Sequence, residues 1–220
     1  MRSVQVVEKV SEDVTRADHV IGIDESGNVT DSNPFVLAAV RCPREDGEML
    51  AELLIDHGLV PWQGKSQTLA ANVPLDERQC RVEALIDSLE NYPVSWSAAV
   101  GYQQGSIHHK AAGICVIAKK TITEKQNFTD DSILLPDGAT NMYGKSQEHL
   151  RVQAAQVFDG SFQSNFGEIY VTGLSKADLT YPEVAAADYL AGYIRSELED
   201  GQTIEDLPSP VIWFKKDWRE

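Results

Sequence analysis

Acidic side chains at a few places carry whatever chemistry this chain can do. Asp24-Glu25, Asp137 in LLPDG and Asp178 after YVTGLSK fall where strands end or turns begin, and Asp188 sits in an alanine-rich segment. In open α/β sheets sites collect at strand ends, so acids arriving there on separate strands can converge. Clustered carboxylates repel and raise one another's pKa unless a cation sits among them. Their hard oxygens suit Mg²⁺ or Mn²⁺ rather than zinc. Two such ions about 3.5–4 Å apart activate a water and stabilise the leaving oxygen of a phosphodiester, giving hydrolysis without a covalent intermediate. Singly, each acid also has an ordinary reading as a turn residue, loop residue or helix cap. The joint pattern is what points to a site.

Those acids need elements to hold them. HVIGID (19–24) is a brief apolar run that predicts a buried strand. Adjacent strand residues point to opposite faces, so Asp24 and Glu25 share a site only if the strand ends or bends there, and Gly27 offers the bend. PFVLAAV (34–40) predicts a second strand, antiparallel to the first. Helical spacing follows over 45–58, stopping at Gly58, and again after Pro74, where Val82, Leu85, Ile86 and Leu89 form one stripe. Val94, Trp96, Ala98, Val100 and Tyr102 alternate as one face of a strand. Ser106 is placed to cap a helix bearing Ala111, Ile114, Cys115, Ala118 and Ile122. SILLPDG, then 150–158, 168–173, 182–198 and 210–214 read as strand, helix, strand, helix and a small terminal strand. Antiparallel strands followed by βα alternation predict a mixed α/β sheet flanked by helices. Residues 1–18 read as an N-terminal extension and 19–220 as one domain.

These motifs resemble a known family. Gly22-Ile23-Asp24-Glu25-Ser26-Gly27 is similar to the opening of the type 2 ribonucleases H, whose signature is Gly-x-Asp-Glu-x-Gly-Arg-Gly. Leu134-Leu135-Pro136-Asp137-Gly138 resembles that family's apolar strand ending in Asp-Gly. The segment from Asp178 through Pro182-Glu183 to Ala187 resembles its later catalytic Asp and alanine-rich helix start. The resemblance implies a ribonuclease H-like fold, metal-binding carboxylates at Asp24, Glu25, Asp137 and Asp178, and cleavage of RNA paired with DNA. It also implies that Ser26, Gly27 and Asn28 meet the substrate. The family's Arg-Gly after Gly27 is Asn28-Val29 here, which loses the guanidinium fork and restricts the backbone, so the metal site is better supported than ribonucleotide specificity. Asp188 stands where the type 2 enzymes have serine. Ala185, Ala191 and Gly192 flank it at helical spacing, a small-residue face that permits close approach to a sheet. Asp-Glu-Ser-Gly early and Ala-Asp-x-x-Ala-Gly late also resemble an uncharacterised ribonuclease H-like family. In that reading Asp188 replaces or joins Asp178 at the metals.

Composition sets the remaining bounds. The 220 residues carry 34 Asp and Glu against 19 Lys and Arg, a formal charge of −15. Such a chain is repelled by nucleic acid in dilute buffer. Scattered acids fit a surface adapted to high intracellular salt, as in halophiles, and at about 1 M salt the Debye length is only about 3 Å. No apolar run approaches the roughly 18–20 residues that cross a bilayer. Cys42, Cys80 and Cys115 form no CxxC pair, which suits a reducing cytoplasm rather than a disulfide framework or zinc site. His108-His109 read as helix-capping residues, Trp62 and Trp96 as core or edge aromatics, Asp130-Asp131 as loop. Lys119-Lys120 and Lys215-Lys216 are the basic pairs. The leading expectation is a metal-dependent endonuclease acting on RNA–DNA hybrids. Its rivals are a non-catalytic binding or assembly module of the same fold, and a mobile-element or defence nuclease with another substrate. Oligomeric state is not legible.

Overall fold

The computed structural model describes residues 5–6, 16–28, 34–59, 73–101, 107–124, 129–138, 154, 157–158, 166–172 and 176–213. Strand β1 (Gln5–Val6) precedes β2 (His19–Ser26) and β3 (Phe35–Pro43), followed by helices α1 (Gly47–Asp56) and α2 (Leu75–Leu89). Then come β4 (Ser95–Gly101), α3 (Ile107–Glu124), β5 (Ser132–Pro136), β6 (Ile169–Val171), α4 (Pro182–Glu199) and β7 (Val211–Trp213). The strands form one seven-stranded sheet in the order β1-β6-β5-β2-β3-β4-β7. β2–β3 and β3–β4 are antiparallel, and the other neighbours are parallel. The expected mixed sheet is therefore what forms.

Helices cover both faces. α1, α2 and α4 bury Leu50, Leu54, Leu85 and Leu190 with Val36, Ala38 and Val40 of β3 and Trp96 and Val100 of β4. α3 buries Ile114, Ile117 and Ile122 against Ile21, Ile23, Leu37 and Ala99 on the opposite face. Because both faces are dry, β3 reads as a continuous apolar run, and both sides of β4 are core. Two sequence readings shift. β2 continues through Glu25 to Ser26, so both acids lie inside the strand. Residues 5–6 of the expected extension pair with β6. Most of the helix expected over 150–158 lies outside the described residues, as do Trp62, Tyr102, Ser106, Lys215-Lys216 and the side chains of His108 and His109.

The tightest approach in this architecture is α4 on β2. A Cβ built on Gly22 would sit 2.2 Å from the carbonyl carbon of Glu183 and 2.3 Å from the backbone nitrogen of Val184. The helix meets the sheet with Ala185, Ala186, Ala187 and Ala191, all buried. Gly22→Ala therefore forces α4 off the strand. It is expected to lower the urea-unfolding free energy by about 1–3 kcal/mol, the usual cost of overpacking; an unchanged midpoint and slope would contradict this packing.

Candidate carboxylate site

Alternation along β2 decides what each side chain meets. Val20 packs with Val184, and Gly22 lies under the start of α4, so the even positions face α4. Ile21 and Ile23 pack with α3, so the odd positions face the other way. Asp24 accordingly points to the α4 side and Glu25 to the α3 side. Lys110, in the first turn of α3 and buried, ion-pairs with Glu25.

Asp24 is buried, and its Oδ1 accepts a 2.7 Å hydrogen bond from the Glu25 backbone N–H. Burial holds its carboxyl well above the usual carboxylate range, with the charges of Asp188 and then Glu25 pushing the same way. The Glu25 N–H opposes this, and Asp137 adds to it. Asp137 follows β5, which runs parallel to β2 with Pro136 beside Ile23. Its backbone N–H donates to the Ile23 carbonyl at 2.9 Å, and its Oδ1 accepts from the Ala177 N–H at 2.7 Å. Asp24 and Asp137 thus lie at the carboxyl ends of neighbouring parallel strands, and the charge of Asp188, on α4, acts on Asp24.

Asp178 lies in the short 3-10 turn Ala177–Leu179, reached through Lys176 in a left-handed conformation (φ 61). It is buried, and its charge acts on Tyr189 of α4, as does that of Asp188. Asp188, Glu25 and Asp137 are among the carboxylates whose charges act on Asp24. Ser26 and Gly27, the latter with φ 92, line a cavity of ≈ 400 Å³ together with Glu25 and Asp188, and Asn28 is exposed. Among the described residues, no group of three or more His, Cys, Asp or Glu side chains is arranged to hold a metal ion.

Other charged residues have structural partners. Lys119 donates to the Val157 carbonyl at 3.2 Å and stands 5.6 Å over the Phe166 ring, and Lys120 pairs with Glu124. Asp131 accepts from the Glu168 N–H at 2.7 Å and its own N–H donates to Asp18. Trp96 is core. Two residues gave no functional signal in the sequence. Lys110 is a lone lysine after His108-His109 at the start of α3, and a lysine is rarely buried unless paired. Glu183 is fully buried in the first turn of α4, and burial pushes its carboxyl up to about 7.

No family model matches the chain, and no curated protein matches it. Solved structures do. A mutant form of Bst-RNase HIII is 17% identical, with 85% of this chain and 56% of that one aligned at a TM-score of 0.54. Bst-RNase HIII in complex with Mn²⁺ is 16% identical over 84% and 54%, at 0.51. This chain therefore spans a little over half the length of those proteins. The likeness establishes the ribonuclease H-like fold expected from the motifs. Among the described residues, no helix is long and apolar enough to cross a membrane.

Glu183 yields a prediction about pH. Its folded-state pKa of about 7 exceeds the ordinary value of 4.5, so the folded chain keeps a proton that the unfolded chain releases. Stability should fall as pH rises between those values and level off above them. Glu183→Gln is expected to remove about 3 kcal/mol of that fall, read from urea unfolding at pH 5 and pH 8. An identical pH profile in the variant would refute this assignment.

Proposed function

We propose that this chain is a divalent-metal-dependent endonuclease that hydrolyses phosphodiester bonds, with RNA in RNA–DNA hybrids as its substrate. The observation that supports it most is the crowding of Asp188, Glu25 and Asp137 around the buried Asp24 at the ends of β2 and β5. Uncompensated buried carboxylates cost energy, and a cation among them is the ordinary remedy. The donor set is all oxygen, which fits Mg²⁺ or Mn²⁺. Asp24, Asp137 and Asp188 would hold the ion, and Glu25 would join when Lys110 yields it. Asp178 remains a candidate through its family position, and Asp188 is one through its charge acting on Asp24.

A divalent cation held there would supply Lewis-acid activation of a water and stabilisation of the leaving oxygen. The chain's own residues do the placing. The Ala177 N–H fixes the Asp137 carboxylate, and the Glu25 N–H fixes that of Asp24. Lys110 pairs with Glu25 on the α3 side of the strand. Ser26, Gly27 and Asn28 form the turn that meets the substrate strand, with Asn28 in place of a guanidinium. With a net charge of −15, working conditions are cytoplasmic and salt-rich, where repulsion from a polyanion is screened.

One observation favours a second reading, a non-catalytic binding or assembly module. The Glu25–Lys110 pair already satisfies an acid that a metal would need. A cleavage panel separates the two: an RNA–DNA hybrid, a single ribonucleotide in DNA, and plain DNA, each with Mn²⁺ at low and molar KCl. Hybrid cleavage is expected, falling at least about 100-fold in an Asp24→Asn, Asp137→Asn double variant. No cleavage of any substrate by the wild type at either salt would replace the nuclease with the module. Cleavage of plain DNA alone would keep the chemistry and change the substrate.

A further inference from the structure

The ≈ 400 Å³ cavity beside Asp188 extends beyond the carboxylates, between α2 and α4. One wall is α4, whose lining positions Asp188, Gly192, Arg195 and Glu199 recur at helical spacing. Facing it, α2 contributes Arg78 and Gln79. The two helices are tied across this gap. Gln79 hydrogen-bonds Glu197, and the Tyr193 hydroxyl donates to Glu83 at 3.2 Å. Gly192 leaves the helix backbone bare between Asp188 and Arg195. The walls are therefore fixed, and the groove is polar.

We propose that this groove binds the phosphodiester backbone of the substrate strand away from the cleavage point, through Arg78 and Arg195. The inference rests on the nuclease reading for the direction of the strand. The lining sets Arg78 and Arg195 beside Glu25, Asp188 and Glu199; with Glu25 paired to Lys110 and Glu199 to Arg195, the two guanidinium groups are the donors that the groove itself offers to a phosphate in a chain of net charge −15. Arginine's fork matches phosphate oxygens. Arg195 lies two helical turns beyond Asp188, about 10 Å at about 1.5 Å per residue. The volume lies in the range of about 300–1,000 Å³ typical of small-molecule clefts, so it takes one backbone unit and not a duplex.

Glu199 guards the subsite. Its carboxylate pairs with Arg195, with Oε1 2.9 Å from both Nε and Nη2. A phosphate must displace it. An i,i+4 helix pair of this kind is weak, so the exchange is within reach of a charge-assisted bond to phosphate. Arg78 also lines the groove, and its Nε donates to the Val73 carbonyl at 3.1 Å.

The test is binding without turnover. Anisotropy of a fluorescein-labelled RNA–DNA hybrid is followed in EDTA from about 0.1 to 1 M KCl, the range over which phosphate contacts reveal themselves. The wild type is compared with Arg78→Ala, Arg195→Ala, Arg195→Lys, Glu199→Gln and Lys120→Ala, the last on the opposite face. Each Arg→Ala change should weaken binding and reduce the slope of log Kd against log salt by about 0.7–0.9, one phosphate contact. Arg195→Lys should keep the slope. Glu199→Gln should tighten binding several-fold, an effect that a merely structural helix pair would not produce. Unchanged slopes in both Arg→Ala variants, an equal loss in Lys120→Ala, or no wild-type binding would overturn the proposal. Groove-dependent binding without hybrid cleavage would remove only the nuclease reading, and cleavage with unchanged slopes would remove only the groove.

Discussion

Helix α4 rests directly on the backbone of β2, and the room for that contact exists because residue 22 has no side chain. A Cβ there would overlap the Glu183–Val184 peptide, so the position accepts only glycine at this spacing. The four buried alanines that follow keep the helix close along its length. This one approach holds α4, which carries Asp188, against the strand that carries Asp24. It also drives Glu183 into the interior, where its carboxyl gives up its usual acidity. A larger residue at 22, 185 or 187 would separate the acids and relieve their repulsion. The fold holds them together against that repulsion, which is the reason to read them as a site.

The second constraint is the period of two along β2. Asp24 and Glu25 are neighbours in sequence and leave the strand on opposite faces, so each finds a different environment. Asp24 meets α4, burial and two more carboxylates. Glu25 meets Lys110. The strand end thus carries a negative cluster with one cation at its edge, inside a chain whose composition is strongly acidic. A divalent ion would compensate the cluster, and strong salt would screen the surface. Both needs arise from the same excess of acids.

Much of this was legible beforehand, for identifiable reasons. The strands and helices were readable because their apolar periods are clean, as at Val82, Leu85, Ile86 and Leu89. The meeting of Asp24 and Asp137 followed from two acids placed at the ends of apolar runs. The extent of β2 was not readable, since Gly27 announces a turn without saying whether the ladder continues through Glu25. Lys110 was invisible because its role depends on which face of the sheet α3 covers, a tertiary fact. The close approach of α4 also needed the fold: the spacing of small residues around Asp188 allowed it, and the packing at Gly22 showed where the helix lands. The groove beyond it joins α2 and α4, which are distant in sequence, and carries no motif.

The central claim is that Asp188 completes a cation site with Asp24 and Asp137. The most direct measurement is the urea-unfolding free energy with and without Mn²⁺ for the wild type, Asp188→Asn and Asp178→Asn. Site binding at about 100 times Kd should stabilise the wild type by about 2.7 kcal/mol. The account predicts that Asp178→Asn keeps most of this gain and Asp188→Asn loses it. A wild type indifferent to Mn²⁺, or a gain lost with Asp178 and kept without Asp188, would contradict it.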